Sequence, residues 1–386
     1  MAEPAPRPAD ETEMVGLICA ILRGENAAVL QDFGALPWRL FLSLSEYHGV
    51  TALLYEKLQA VTAWPGELIE TLRERALAQA VWEMRHQQAI GRAIAALRAD
   101  GIEPVIFKGT ALAYGLYANS VWRMRGDTDM IVAPEDGRSA GAALAEAGFV
   151  RQPAAGGELV STQDSYILEL PGAGPQAIDL HRRINNSELL SRLFSHAELR
   201  AAARPLPALC AGAWAAGPVH ALLLAAMHRA THIHNPYYVE GVAHYGGDRL
   251  IWHYDVHLLA QSFTPADWQA LVGLAREKGL GEISREALDR AAACFGTPVP
   301  DVVRAGLDVT GERVAAYLKA GHVRQNWMDF CAIAGWADKV RFLRELVFPP
   351  SSYMLAKYAP ARPRALPWLY ARRALEGVVK RLGRGW

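Results

Sequence analysis

The 386-residue sequence predicts an α+β fold: a small mixed β-sheet core embedded between helical segments, with a helical C-terminal half. Three observations predict it. Runs with strand character are confined to about residues 102–182. Apolar residues recur at helical spacing on both sides of that stretch, and the GxGxxG turn of a doubly wound dinucleotide fold is absent.

The elements follow in order. Residues 1–13 are Pro-rich and acidic, unlike a positively charged signal peptide, and are expected to form a disordered tail. Residues 14–100 form an N-terminal helical region. Glu13–Leu58 reads as two helices, and Glu67–Ala99 as one long amphipathic helix with Leu77, Val81, Met84, Ile94 and Leu97 on its apolar stripe. At Asp100–Gly101 the period changes, opening an α+β core over 101–185. Strands are expected at Ile102–Phe107, Asp127–Val132, Phe149–Arg151, Ser165–Leu170 and Gln176–Arg182. The last two are joined by the turn-like Pro171–Pro175. Helices are expected at Thr110–Tyr117 and Pro134–Ala147, the latter ending at Gly148. Residues 186–386 form a C-terminal helical domain. Its clearest helices are Pro218–His234, Arg249–Gln261 and Pro265–Lys278, the last N-capped by Thr264 with Pro265 at N1.

Composition narrows the function. Forty Lys and Arg balance forty Asp and Glu, which excludes blanket neutralisation of nucleic-acid phosphates, so no stable nucleic-acid binding is expected. Cysteines 19, 210, 294 and 331 are too scattered for a zinc knuckle or redox CxxC, and fit reduced thiols in a cytoplasmic protein. No window is long and apolar enough for a transmembrane segment. Walker, HExxH and GxSxG signatures are absent, as are repeats of solenoid period. The segment from Arg362 to Trp386 is a basic amphipathic helix. We read it as packing its apolar stripe on the body with its arginines in water, against a membrane-surface or nucleic-acid role.

The chemistry concentrates in three segments, Phe107–Leu112 (FKGTAL), Arg123–Val132 (RMRGDTDMIV) and Ile178–His181 (IDLH). Residues i and i+2 of a strand share a face, so Asp127 and Asp129 are neighbours that need a proton or a cation between them. A hard divalent ion, Mg²⁺ or Mn²⁺, suits such oxygen ligands. Asp179, flanked by the core residues Ile178 and Leu180, is the third acid, and together they make a two-ion clamp feasible. Gly109 and Thr110 stand where a strand hands over to a helix, a place where backbone can approach a phosphate, although such pairs are also simple caps. Lys108 is read either as a triphosphate contact or as a solvent-reaching strand-end lysine. Arg123 and Arg125 share parity with the acids and would meet phosphate or acceptor charge, or pair with those acids. His181 shares the face of Asp179 and is a possible base.

Half of the histidines (His228, His232, His234, His244, His253 and His257) fall within thirty residues. Spacings of one helical turn leave open a transition-metal site, an aromatic-walled acceptor pocket holding His228, or plain packing.

Taken in order, KGTAL, the Arg123–Val132 segment, IDLH, His228 and Arg249–Leu259 (RLIWHYDVHLL) resemble an uncharacterised bacterial branch of the polymerase-β-type nucleotidyltransferase superfamily with a Lys-Gly turn. The likeness runs from about residue 14 to the C-terminus. The resemblance implies metal-binding, catalytic roles for Asp127, Asp129 and Asp179. It implies nucleotide-phosphate roles for Gly109 and Thr110, and an enzyme moving NMP from an NTP, ATP among the candidates, to an unknown acceptor with release of pyrophosphate. Thr110 departs from the usual Gly or Ser, and its β-branch restricts the turn. A metal-dependent hydrolase using His228 and His232, and a non-catalytic relative that binds nucleotide or a partner, are the other readings.

Overall fold

Val105, Ile106 and Phe107 are all fully buried, as a strand covered on both faces must be. In the computed structural model, which describes residues 8–25, 37–61, 64–153, 157, 160–171, 174–233, 237–239, 242–244, 247–358 and 366–382, they form β1. Around it lie β2 (Asp127–Ile131), β3 (Val150–Arg151), β4 (Gln163–Leu170), β5 (Gly174–His181), β6 (Arg204–Pro205) and β7 (Trp214–Ala215). They make one mixed sheet in the order β3-β4-β5-β2-β1-β7-β6. β2 runs parallel to β5 and antiparallel to β1, with Asp129 opposite Asp179 on one side and Phe107 on the other.

Strand parity divides the sheet into two faces. Ile106, Met130, Val132, Ile178 and Leu180 pack with α4 (Gly66–Ala99) and α6 (Gly137–Glu146), through Ile90, Ile94, Leu97 and Leu144. Val105, Phe107 and Ile131 point the other way, into the main helical core. Asp127, Asp129, Asp179 and His181 share that second parity. The helices on that side are α1 (Pro8–Arg23), α2 (Trp38–His48), α3 (Thr51–Leu58), α5 (Lys108–Gly115), α9 (Pro218–His232), α10 (Leu250–Ser262), α11 (Pro265–Lys278) and α12 (Gly281–Phe295). Between them in the chain come α7 (Glu188–Ser191) and α8 (His196–Ala201), and after them α13 (Asp301–Gly306) and α14 (Arg313–Leu318). The chain closes with α15 (His322–Ala332), α16 (Trp336–Val347), α17 (Ser351–Lys357) and α18 (Leu366–Leu382). Among the described residues no helix is long and apolar enough to cross a membrane.

Local chemistry explains several boundaries. Thr264 caps α11 in a full capping box with Asp267, and α6 gives way to Gly148 at φ +89°, a conformation glycine adopts without strain. Elsewhere the expectations need correction. Helix α1 begins at Pro8, inside the segment expected to be a tail, and among the described residues between 8 and 58 there are three helices rather than two. Pro134–Asp136 is a 3₁₀ turn leading into α6. Strands are not confined to residues 102–182: β6 and β7 extend the sheet, and Tyr237–Val239 pairs with Val242–His244 as a separate hairpin.

On α4, Leu77, Val81 and Met84 are exposed. The inward residues of its middle turns are Glu83 and His86, so the apolar residues there fall outside. On α18, Leu369 is buried but Trp368 and Leu375 are open, so its apolar stripe is only partly covered.

Candidate active site

Lys108 is the one non-glycine among the described residues with a left-handed backbone, φ +57°, a conformation costing about 1–2 kcal/mol for an L-residue. It is the first residue of α5, directly after β1. From there its Nζ donates to Asp129 Oδ1 at 2.6 Å. The same oxygen accepts from His181 Nε2 at 2.8 Å. Burial pushes the Asp129 carboxyl upward, but the ammonium and the imidazole bond outweigh it and hold the carboxyl well below the usual range.

Asp179, across the ladder from Asp129, is oriented from β4. Ser165 Oγ donates to its Oδ1 at 2.5 Å and Gln163 Nε2 to its Oδ2 at 3.0 Å. Ser165 and Gln163 are the ladder partners of Asp179 and His181, so the members of each polar pair share one face of the sheet, and Gln163 and Asp179 line the cleft. Asp127 sits at the mouth, open to solvent yet walled by the cleft. Loss of surrounding water, then the charges of Asp129 and Asp179, raise its carboxyl to about 7 despite Lys108 and Arg125. Three acids are gathered here with too few cations to neutralise them.

Among the described residues, Asp129, Asp179 and His181 offer ligand atoms lying within 4.8 Å of one another, a set able to hold a metal ion. This differs from the expected set in one member, since His181 takes the place of Asp127 in the compact group. Two carboxylates and an imidazole fit a divalent cation, and Asp127 adds a third negative charge beside it.

The remaining predicted residues divide. Lys108 and Gly109 line a cleft of about 580 Å³ together with Asp127, Asp129 and Asp179. Thr110 does not line it. Its side chain is buried, donating to Thr128 Oγ1 at 2.6 Å and accepting from Arg125 Nε at 2.7 Å. Arg123 and Arg125 touch the cleft wall but pair with neither strand acid. Arg123 is bidentate to Asp255 of α10, which also accepts from Tyr117. Arg125 is bidentate to Glu83 of α4 at 2.7 and 3.0 Å.

Behind β2 a buried chain of hydrogen bonds continues this bracing. Thr128 lies opposite to Asp127 and Asp129 in parity and donates to His86 Nε2 at 2.7 Å, while His86 Nδ1 donates to Gln176 Oε1 at 3.0 Å. That assignment follows from Gln176 offering an acceptor oxygen. Burial, then the Arg125 charge, lowers His86 to about 3, so the ring is neutral and the chain runs in one direction from Arg125 to Gln176. It ties α4, α5, β2 and β5 together directly under the acids.

The opposite wall of the cleft is built by His228, Thr231 and His232 of α9, with Arg249 and Trp252. The two imidazoles lie tilted against each other at 49°, 4.4 Å between centroids, and His228 meets Trp252 edge-on at 5.4 Å. Burial, then His232 and Lys108, keep the His228 ring neutral, far below its ordinary range, and burial lowers His232 to about 4. The histidine-rich segment therefore disperses. His253 bonds Asp248 and His257 bonds Thr297, while His234 and the side chain of His244 lie outside the described residues. Among the described residues, His228 and His232 join no group of three metal donors.

A family model described as uncharacterised nucleotidyltransferase matches residues 34–296, more than half of the chain. The chain belongs to that family. No curated protein matches the sequence. For this nucleotidyltransferase-family protein, the matched range includes β1 to β7, the acids and the whole cleft wall up to α12, and stops before α13. Sequence reading missed Ser165, Gln163, Glu83, His86 and Gln176, and the pairing of Asp255 with Arg123. Ser165 and Gln163 carried a signal, being polar residues at alternate positions of a strand, whereas the others meet their partners only through the fold.

Proposed function

We propose that the protein is a divalent-metal-dependent nucleotidyltransferase that moves NMP from an NTP to a hydroxyl or similar group. The observation that carries the reading is the Asp129–Asp179 ladder pair with His181 beside it and Asp127 on the same face of β2. Asp129, Asp179 and His181 would hold a divalent cation, which when bound would supply charge neutralisation for the triphosphate and acidity for the acceptor hydroxyl. In the transfer the acceptor oxygen bonds to the α-phosphorus and the α–β P–O bond breaks. Pyrophosphate departs with the electron pair, and the hydroxyl proton passes to water.

The chain's own groups have distinct parts. Lys108 and Gly109, at the start of α5, meet the triphosphate with an ammonium and with free backbone N–H groups. Arg123 and Arg125 act from behind, each locked by a buried carboxylate, so they keep the β2 entry rigid rather than reach for phosphate. His228, with no hydrogen bond among the described residues, presents a neutral ring to the acceptor. Its low basicity suits it to hold the hydroxyl and not to keep the proton. The acceptor lies against this His228–Trp252 wall. A side chamber of about 260 Å³ shares Asn185, Asn186 and Thr231 with the cleft and extends it towards Asn326.

Calorimetry with Mn²⁺ and a non-hydrolysable NTP tests the reading. The wild type is expected to bind the pair, and Asp129→Ala together with Asp179→Ala to lose metal and nucleotide alike. Undiminished binding by the double variant would remove the acids from the site.

A further inference from the structure

The C-terminal end of the chain has a charge and a surface that the cleft does not use. Residues 322–386 hold twelve Lys and Arg against four Asp and Glu, a net +8, so the preceding 321 residues carry −8 in a chain whose total is zero. The same end concentrates exposed apolar side chains. Helix α16 buries only Phe342, while Trp336, Val340, Leu343 and Val347, spaced by four, three and four residues, stand on one face and are 76, 63, 46 and 58 % exposed. An ordinary surface helix shows the reverse arrangement.

Neighbouring helices repeat the pattern. Exposed Trp327 of α15 stacks on Phe330, and the Lys339 ammonium stands 5.0 Å from the Phe330 ring and 5.4 Å from that of Trp336. Phe348, just past α16, meets Tyr370 of α18 edge-on at 5.6 Å. On α18, exposed Trp368 lies 5.8 Å from the Arg372 guanidinium. Aliphatic side chains flanked by tryptophans and cations are what a lipid–water interface accommodates: acyl chains receive the aliphatics, the headgroup layer the indoles, and anionic headgroups the cations.

We propose that α16 and α18 form a docking surface for an anionic lipid bilayer. Charge selects this occupant. A second copy docking face to face would bring +8 against +8, which like-charge repulsion opposes. Nucleic acid would leave Val340, Leu343 and Val347 without a partner, since bases stack on aromatic rings and phosphates meet cations. The acidic remainder of the chain would be held off the same bilayer, which orients the protein with its C-terminal end down. This inference is independent of the reaction in the cleft.

Full-length protein is sedimented with vesicles of phosphatidylcholine alone and of a two-to-one mixture of phosphatidylcholine and phosphatidylglycerol, at low and high salt. We expect partitioning onto the anionic vesicles only, a blue shift of tryptophan emission, and loss of binding at high salt. The double variant Trp336→Ser, Leu343→Ser should bind about tenfold more weakly with an unchanged melting temperature, because both side chains are already exposed. Lys339→Glu with Arg344→Glu should do the same by charge alone. Equal binding to both vesicle types, or undiminished binding by both double variants, overturns the proposal. So does a wild-type dimer that the serine variant dissociates while vesicles fail to bind, or retention of nucleic acid in place of lipid.

Discussion

Glu83→Ala isolates the bracing of the site from its chemistry. Glu83 and Arg125 face each other with side chains 4 and 3 % exposed, joined by two hydrogen bonds, with Trp82 and Tyr114 rings near the guanidinium. Removing the carboxylate leaves a buried guanidinium whose neutralisation is not available, since arginine does not deprotonate in proteins. A buried pair broken from one side costs about 3–5 kcal/mol, whereas replacing both members by apolar residues of similar volume is often near neutral. Against a total stability of about 5–15 kcal/mol this is a large fraction. Urea unfolding followed by tryptophan fluorescence should therefore show a large drop in midpoint for Glu83→Ala and recovery in Glu83→Leu, Arg125→Met. The exposed pair of Glu70 and Arg73 on the same helix is the control, and Glu70→Ala should leave the midpoint unmoved. A loss below about 1 kcal/mol for Glu83→Ala, or no recovery in the double variant, would refute the bracing account.

Other expectations follow from the same geometry. With a carboxyl raised to about 7 in the fold and near 3.9 in the unfolded chain, Asp127 makes the metal-free protein less stable as pH rises between those values. Asp127→Asn should then raise stability at pH 8 while impairing transfer, as thermal melts and activity would show. Asp127 stands beside the Asp129–Asp179–His181 set and adds negative charge to it when ionised, so Mn²⁺ affinity by calorimetry should weaken as pH falls below 7, and Asp127→Asn should flatten the dependence. Thr128→Val removes the hydroxyl between His86 and Thr110 at constant shape. It should cost about 1–3 kcal/mol in urea unfolding and slow transfer without weakening NTP binding. Lys108→Met takes away the ammonium that competes for Asp129. It should tighten Mn²⁺ binding and weaken triphosphate binding, and a loss of both would place Lys108 in a purely structural role.

Much of the site's frame was legible because strand period is a local property. Asp127, Asp129 and Asp179 share a face because each stands two residues from its neighbour or opposite it in the ladder, and Ile178 and Leu180 mark the other face. The bracing was not legible, because its partners are distant in sequence. Asp255 is 132 residues from Arg123 and Glu83 is 42 from Arg125, and nothing in spacing pairs them. The stripe of α4 misled for a related reason. Where Glu83 and His86 turn inward to meet Arg125 and Thr128, hydrophobicity no longer marks the buried face, and Leu77, Val81 and Met84 fall outside. Two-residue strands such as β7, which reaches the sheet through Ala215 opposite Ile106, carry no period at all.

The central claim, that the Asp129–Asp179–His181 cluster serves NMP transfer, is tested most directly with α-labelled NTPs, Mg²⁺ or Mn²⁺ and a cell extract supplying acceptors. Wild type, Asp129→Ala and Asp179→Ala are compared for label transferred and pyrophosphate released. The account predicts metal-dependent labelling with stoichiometric pyrophosphate from the wild type and a loss of at least about a hundredfold in both variants. Equal labelling by the variants, or release of γ-phosphate in place of pyrophosphate, would contradict it.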